Sequence, residues 1–322
     1  MSVSQTIKEQ FEQANTIAIF GHQSIDGDAI GSMFWLGLQL KKLWKQVSYF
    51  TPDQQSQNFD FLDLSSLEYT FDYGEYDLLV FVDFSGYGRI KKFTEGHLEY
   101  FEKHQKVIID HHPFDHDFEN ALIFRDESAI SASELVFELT NDRWDLMDRE
   151  VVTFLFMGIL TDSGRFSYDE GKESIRVMHI ATALLEYWVE KKMLIQHLFY
   201  RTSFEEVQFS NSILERIQKN GDILFSWYPL AELQQFNLHP DSSDSALYTM
   251  VAIKWYTLVI LGKETREGIK ISLRGRGKYD CNIIATHFWG GGHFNAAGCT
   301  ITSSGNLEKD MYDFVEEVKK LF

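Results

Sequence analysis

The chain has 322 residues, 44% of them apolar and 24% charged, a balance that excludes a disordered or collagenous polymer and allows one large or two ordinary domains. The formal net charge of −18 excludes a protein that coats long DNA or anionic membrane by bulk attraction. It leaves room for a small phosphorylated ligand in a local basic pocket, and for cations held among carboxylates.

The opening stretch, MSVSQTIKEQFEQANT, reads as an amphipathic helix and not as a signal peptide. TIAIF then predicts a buried strand, IGSMFWLGLQLKKL an amphipathic helix, QVSYFT a short strand, and YDLLVFVDFS a strongly apolar strand running into Asp83. KVIIDHHP repeats that arrangement and ends in Asp110, His111 and His112. SASELVFELTND, REVVTFLFMGILTDSG and SIRVMHIATALLEYWVEKK read as helices. Strands alternating with helices predict an α/β fold with a mainly parallel sheet. In such sheets ligands bind beyond the carboxyl ends of the strands. Acids and imidazoles recur there, after Phe20, Val82 and Ile109.

The second half changes character. A helix, SFEEVQFSNSILERIQ, precedes the strands DILFSWY, YTLVILG and GIKISLRG, then the helix CNIIATHF, the segment GGGHFNAAGCTI and a last helix. The expected division is 1–195 and 196–322, with no proline- or glycine-rich linker to mark it. Lys263, Arg266, Lys270, Arg274, Arg276 and Lys278 stand against only Glu264 and Glu267. In an acidic protein this stretch is either a docking site for a small anion or a solvated edge strand. Cys281 and Cys299 form no CxxC pair, which predicts two reduced thiols in a cytoplasmic protein. No apolar run approaches the length needed to cross a bilayer.

His22, Asp26 and Asp28 lie in one turn. Either they hold a hard divalent cation, or Asp28 is a helix N-cap and Asp26 a turn residue. Asp83 ends a strand, where a two-oxygen carboxylate can bridge two ions. Two adjacent histidines project differently, so one of His111 and His112 can ligate while the other faces substrate, with Asp110 orienting an imidazole. Asp162 ends an apolar helix, where an acid opposes the helix dipole unless a cation lies beside it. Together His22, Asp26, Asp28, Asp83, His111 and Asp162 supply what a two-metal centre needs, in which ions roughly 3.5–4 Å apart clamp a phosphoryl group and activate water. Neither GxSxG nor GxxxxGK[ST] occurs.

GHQSIDGDAIGS, VDFSGYGRI, IDHHP, GILTDSGRF and GGGHFNAAG stand in the order found in DHH-family phosphoesterases, and the chain resembles the nanoRNase/pAp phosphatase branch of that family. The resemblance implies an N-terminal DHH domain with a mainly parallel sheet flanked by helices. It also implies a smaller α/β DHH-associated domain, with the active site in the cleft between the two. It implies two divalent cations, Mn²⁺ with Mg²⁺ as the alternative. His22, Asp26 and Asp83 would hold one, and Asp28, Asp83, His111 and Asp162 the other. His112 would contact the scissile phosphate, acting with Asp83 and Asp110 as the catalytic group. Arg89, Arg274, Gly290, Gly291, Gly292 and His293 would bind substrate, the glycines by letting backbone N–H groups approach phosphate.

Two departures stand out: Gly275 replaces a usual serine, and Ile25 a usual proline. The implied activity is hydrolysis of two- to five-nucleotide RNA to mononucleotides, or of 3′-phosphoadenosine 5′-phosphate to AMP, by a hydroxide activated between two metals. Linear or cyclic dinucleotides (pApA, c-di-AMP) are alternative substrates, and a catalytically silent nucleotide-binding protein is an alternative role. The expected partners are short RNA or small nucleotides, without long DNA or membrane, and a homodimer is compatible.

Overall fold

The computed structural model describes residues 2–54, 57–113, 118–141, 144–168 and 171–322, and all structural statements concern these; of the expected helix residues, Met1 and Asp142 lie outside them. The chain divides into two units, Met1–Tyr200 and Arg201–Phe322.

The first unit runs α1 (Val3–Gln13), β1 (Thr16–Phe20), α2 (Gly27–Lys42), β2 (Gln46–Phe50), β3 (Leu67–Glu68), β4 (Leu78–Val82), α3 (Lys91–Thr94), α4 (Leu98–Lys103), β5 (Lys106–Asp110), β6 (Ala121–Arg125), α5 (Ala132–Thr140), α6 (Arg149–Asp162), α7 (Gly171–Glu186) and α8 (Lys191–Phe199). Its six strands are all parallel, in the order β3-β2-β1-β4-β5-β6. Residues alternate across the sheet. Ile17, Ile19, Val80, Val82, Val107 and Ile109 face one core with α2, α5 and α6. Ala18, Phe20, Leu79, Phe81 and Ile108 face another, rich in phenylalanine. The order of strands reverses between β1 and β4, the switch point at which α/β sheets open a crevice.

The second unit runs α9 (Phe204–Glu215), β7 (Gln218–Asn220), β8 (Ile223–Tyr228), α10 (Leu230–Gln235), α11 (Asp244–Val251), β9 (Leu258–Glu264), β10 (Ile269–Gly275), α12 (Cys281–His287), β11 (Gly291–Gly292), β12 (Ala296–Ile301) and α13 (Leu307–Lys320). Its mixed sheet, β11-β12-β10-β9-β8-β7, has α12 and α13 on one face and α9 and α11 on the other. No helix among the described residues is long and apolar enough to cross a membrane.

Two expectations need correction. The helix expected through SIRVMHIATALLEYWVEKK breaks: α7 ends at Glu186 and α8 begins at Lys191, with Trp188 in left-handed backbone (φ 65°). β6 was not expected, because its residues are only half-buried and carry no strong period.

Contact between α2 and α6 brings two parts of the site together. A Cβ on Gly31 would lie 2.6 Å from the Phe154 carbonyl oxygen and 3.0 Å from Gly158 Cα, and neither backbone atom can yield. Gly31→Ala should therefore lower unfolding free energy by about 1–3 kcal/mol through overpacking, outweighing the ~1 kcal/mol helix gain of alanine over glycine. Urea denaturation measures this, and an unchanged midpoint would contradict the close approach.

Candidate metal centre

β1 delivers His22 one residue past Gly21. The turn that follows is pinned by Ser24 N–H donating to Asp53 Oδ2 (3.0 Å) and Thr51 Oγ1 donating to the His22 carbonyl (2.9 Å). Asp26, not Asp28, is the N-cap of α2: its Oδ1 accepts from Asp28 N–H (3.0 Å) and Ala29 N–H (3.1 Å). Its Oδ2 lies 3.7 Å from His22 Nε2. Capping and cation binding are thus not alternatives, because each uses a different oxygen. Asp28 sits in the first turn of α2, where Ala132 N–H donates to Oδ2 (2.6 Å) and Ser133 N–H to Oδ1 (2.8 Å) at the start of α5.

Asp83 follows β4 in left-handed backbone (φ 52°), as does Ser85 (φ 52°). Such backbone costs roughly 1–3 kcal/mol and persists only where its surroundings hold it. Asp110, fully buried at the end of β5, does so: its Oδ2 accepts from Phe84 N–H (3.1 Å) and Ser85 N–H (2.6 Å). Its Oδ1 accepts from His112 N–H (3.0 Å) and meets His112 Nδ1 at 2.9 Å. Asp110 therefore orients the turn and the imidazole.

The imidazoles are aimed the same way. His22 Nδ1 faces the Gln23 carbonyl (2.7 Å) and His111 Nδ1 the Ala129 carbonyl (3.2 Å), so each turns Nε2 inward. His22 Nε2 is 3.1 Å from Asp83 Oδ2. His111 Nε2 lies 3.5 Å from Asp162 Oδ2, 3.6 Å from Asp83 Oδ1 and 4.0 Å from Asp28 Oδ2. Three groups emerge whose potential ligand atoms lie within 4.8 Å of one another: His22–Asp26–Asp83, Asp28–His111–Asp162 and Asp83–His111–His112. The six residues expected to ligate, and His112 with them, are brought together. Arg89 lies beside them, its Nη2 2.9 Å from His22 Nδ1.

The donor set fits divalent cations. Asp83 Oδ1 is buried and makes no hydrogen bond, although His112 Nδ1 is 3.2 Å away. Burial alone would raise the Asp83 carboxyl, but His111, His112 and His22 outweigh it and hold it well below the usual range. Burial and Asp83 push Asp28 up to about 7, and burial with Asp28 lifts Asp162 well above its ordinary value. Burial would lower the histidines, yet the carboxylates raise His22 and His111 to about 10 and His112 to about 9. Protons thus sit where cations would sit.

In the second unit, Arg274 on β10 pairs with Ala296 of β12, and its Nη1 donates to the Leu273 carbonyl (2.9 Å). Gly290–Gly292 and His293 form the hairpin into β12, with Gly291 opposite Gly298 and Gly292 opposite Ala297. The departure at Gly275 has a steric cause, since a Cβ there would lie 2.7 Å from both Cys281 Sγ and the Tyr279 carbonyl oxygen. Part of the basic stretch is spent internally: Lys263 reaches Asp244 (3.5 Å), Arg276 the Val251 carbonyl and Lys278 Asp222 (3.1 Å). Ile25 is a core residue, 3% exposed, against Gly21. The partners that sequence reasoning missed, Ala129, Ala132 and Ser133, act chiefly through backbone atoms, which leave no side-chain signature; Ser133 adds a hydroxyl contact to the Asp28 carbonyl (3.4 Å).

Residues 16–159 match the DHH family, N-terminal domain, and residues 223–322 the DHHA1 domain. The chain belongs to the DHH family, a family of metal-dependent phosphoesterases. It is similar to the bifunctional oligoribonuclease and PAP phosphatase NrnA of Mycoplasma genitalium, at 24% identity over 98% of both chains. It is also similar to that of Thermus thermophilus, at 25% identity over 88% of this chain and 84% of the relative. A solved exopolyphosphatase-related protein from Bacteroides fragilis superposes with a TM-score of 0.89 at 26% identity, covering 99% of this chain and 96% of that one. Manganese-bound exonuclease RecJ shares the fold alone, with a TM-score of 0.51 at 15% identity over 99% and 93% of the two chains.

Cation binding must expel the imidazole protons. Affinity should therefore rise from pH 6 to pH 8 as proton competition weakens, and binding at pH 7 should release protons. Calorimetry in buffers of different ionisation enthalpy measures the release; none would contradict the protonated cluster.

Proposed function

We propose that the chain hydrolyses phosphoesters of small nucleotides: oligoribonucleotides of two to five residues to mononucleotides, and 3′-phosphoadenosine 5′-phosphate to AMP. The observation that carries this reading is the pair of carboxylate–imidazole clusters meeting at Asp83. Relatives named for both activities support it, with similarity running through both domains.

His22, Asp26 and Asp83 would hold one divalent cation, and Asp28, Asp83, His111 and Asp162 the second. The mixed imidazole and carboxylate set favours Mn²⁺ over Mg²⁺, which prefers oxygen alone. Such a pair, when bound, neutralises phosphoryl charge and lowers the pKa of water. His112, fixed by Asp110, would donate to the phosphoryl oxygen as charge builds. Arg89, whose Nη2 lies 2.9 Å from His22 Nδ1, would offer its guanidinium to the phosphate. The DHHA1 domain, beginning near residue 196, would supply Arg274, His293 and the glycine hairpin as anchors for a terminal phosphate. Water carries the attack: its oxygen bonds phosphorus, the ester P–O bond breaks, and a proton passes to the leaving oxygen. A cytoplasmic location and a homodimer complete the reading.

A turnover panel with Mn²⁺ and with Mg²⁺ tests it, comparing 3′-phosphoadenosine 5′-phosphate, pApA, three- to five-nucleotide RNA and pyrophosphate. Pyrophosphate as the best substrate would overturn it. Asp83→Ala should cost more than the ~10–100-fold typical of losing an outer partner of a metal ligand; undiminished phosphate release would sink the shared-carboxylate mechanism. Arg274→Ala should raise KM roughly 10–100-fold, since a charged hydrogen bond contributes about 1.5–3 kcal/mol, with kcat less affected. A fall in kcat alone would remove Arg274 from ground-state binding.

A further inference from the structure

Residues 126–134, the loop after β6 together with the start of α5, orient two of the cation-facing side chains. Ala129 presents its carbonyl to His111 Nδ1 (3.2 Å), while Ala132 N–H and Ser133 N–H hold the two oxygens of Asp28 (2.6 and 2.8 Å). His111 follows β5 and Asp28 opens α2, so one short segment registers two distant elements against each other.

Arg176 on α7 grips this segment at three points. Its Nη1 lies 3.2 Å from Asp126 Oδ2, its Nη2 donates to the Ser128 carbonyl (2.9 Å), and its Nε forms an ion pair with Glu134 Oε1. Glu134 is fully buried, and its Oε2 accepts from Ile130 N–H (2.8 Å). Ser131 and Glu134 have capping-box spacing. Ser131 Oγ accepts from Glu134 N–H (3.1 Å), but Glu134 reaches past Ser131 to Ile130. Asp126 closes the other end, its Oδ1 accepting from Ser128 N–H (2.8 Å) and its carbonyl from Ala129 N–H (3.0 Å). The guanidinium therefore ties the turn that carries Ala129 to the helix start that carries Ala132 and Ser133.

Stability does not account for this arrangement. A buried ion pair returns about what its desolvation costs, and an apolar pair of similar volume holds a core as well. What the charged pair adds is register, through five hydrogen-bonding directions fixed in one plane.

We propose that Arg176 is a positioning residue for the cation site, setting the place of the Asp28 carboxylate and the rotation of the His111 ring through residues 126–134. The proposal rests on the reading that Asp28 and His111 bind a cation. Arg176 touches neither cation nor substrate.

The test compares wild type with Arg176→Lys and with the double variant Arg176→Met/Glu134→Gln, which leaves no buried charge unpaired. Arg216→Met, which breaks a comparable pair with Glu232 in the other unit (2.6 Å), is the control. Mn²⁺ affinity is read by electron paramagnetic resonance, His111 ring geometry by its ¹⁵N shifts, and folding by thermal melts of the metal-free proteins. The double variant should bind one of its Mn²⁺ ions about 10–100-fold less tightly, the usual cost of losing an outer partner, with shifted His111 ring resonances. Arg176→Lys should recover part of the loss, and Arg216→Met should stay within about twofold of wild type, beneath the loss expected of an outer partner. A folded double variant with wild-type Mn²⁺ affinity and ring shifts would overturn the proposal. If the double variant does not fold, Arg176→Lys decides alone: unchanged affinity and shifts overturn it. Wild type that binds no Mn²⁺ would instead overturn the cation reading beneath it.

Discussion

Four carboxylates, those of Asp26, Asp28, Asp83 and Asp162, converge on three imidazoles in a largely buried pocket, and their mutual repulsion governs everything around them. Protons on His22, His111 and His112 offset only part of the negative charge. Two divalent cations would offset that charge and free His22 and His111 to act as neutral ligands. Asp83 concentrates the problem, since it faces all three histidines and one of its oxygens makes no hydrogen bond. A cluster like this is costly in an empty protein and favourable in a loaded one. Stability of the first unit is therefore expected to depend on its cations.

The scaffold spends much of its detail holding this cluster in place. A fully parallel sheet aligns the ends of β1, β4 and β5, so His22, Asp83 and the Asp110–His112 run arrive together at the switch point. Parallel strands alone do not deliver Asp28 and Asp162, which come from opposite ends of two different helices. Their meeting depends on α2 and α6 lying close enough that Gly31 has no room for a side chain, while the space at Gly158 is taken by Ser133 of α5 and by Asp28 itself. Strain at Asp83 is held by Asp110, itself a strand-end acid. Rigidity of the site thus derives from ordinary elements whose ends are tied to one another.

Much of this was legible in the sequence. β1, β4 and β5 are short runs of apolar residues that end in chemistry-bearing ones, and the same pattern that marks a buried parallel strand marks where its ligands lie. The conflict between Asp162 and its helix dipole is visible in the sequence itself. What was not legible passes through the backbone or across long separations. The capping alternative placed the cap at Asp28 and the turn at Asp26, the reverse of what the structure shows, because both have the composition of a cap. Gly275 read as a lost hydroxyl and is instead a position without space, filled by Cys281 and the Tyr279 carbonyl. The break before α8 was hidden by an apolar period that continues through Trp188 while the backbone turns left-handed.

The glycine run of the second unit shows how one motif can serve two masters. A Cβ on Gly290 would strike the Gly298 carbonyl oxygen at 2.1 Å, and one on Gly292 would strike Ala297 Cα at 2.5 Å in a backbone with φ 146°. Both glycines are required by the hairpin itself, whatever it binds. Gly291 has nothing within 4 Å of its Cβ position, so the fold leaves that residue open. Its missing side chain leaves room for something that comes from outside the strand pair, as the terminal phosphate would in the proposed function. The neighbouring β10 brings Arg274 to the same end of the sheet, beside Ala296. Gly290 N–H is already given to the Ala285 carbonyl (2.8 Å) and His293 N–H to the Ala296 carbonyl (2.7 Å), so an anion at the proposed site would meet the open face of Gly291 and the Arg274 guanidinium, which would suit the single terminal phosphate of a short molecule more than the repeating charge of a long one.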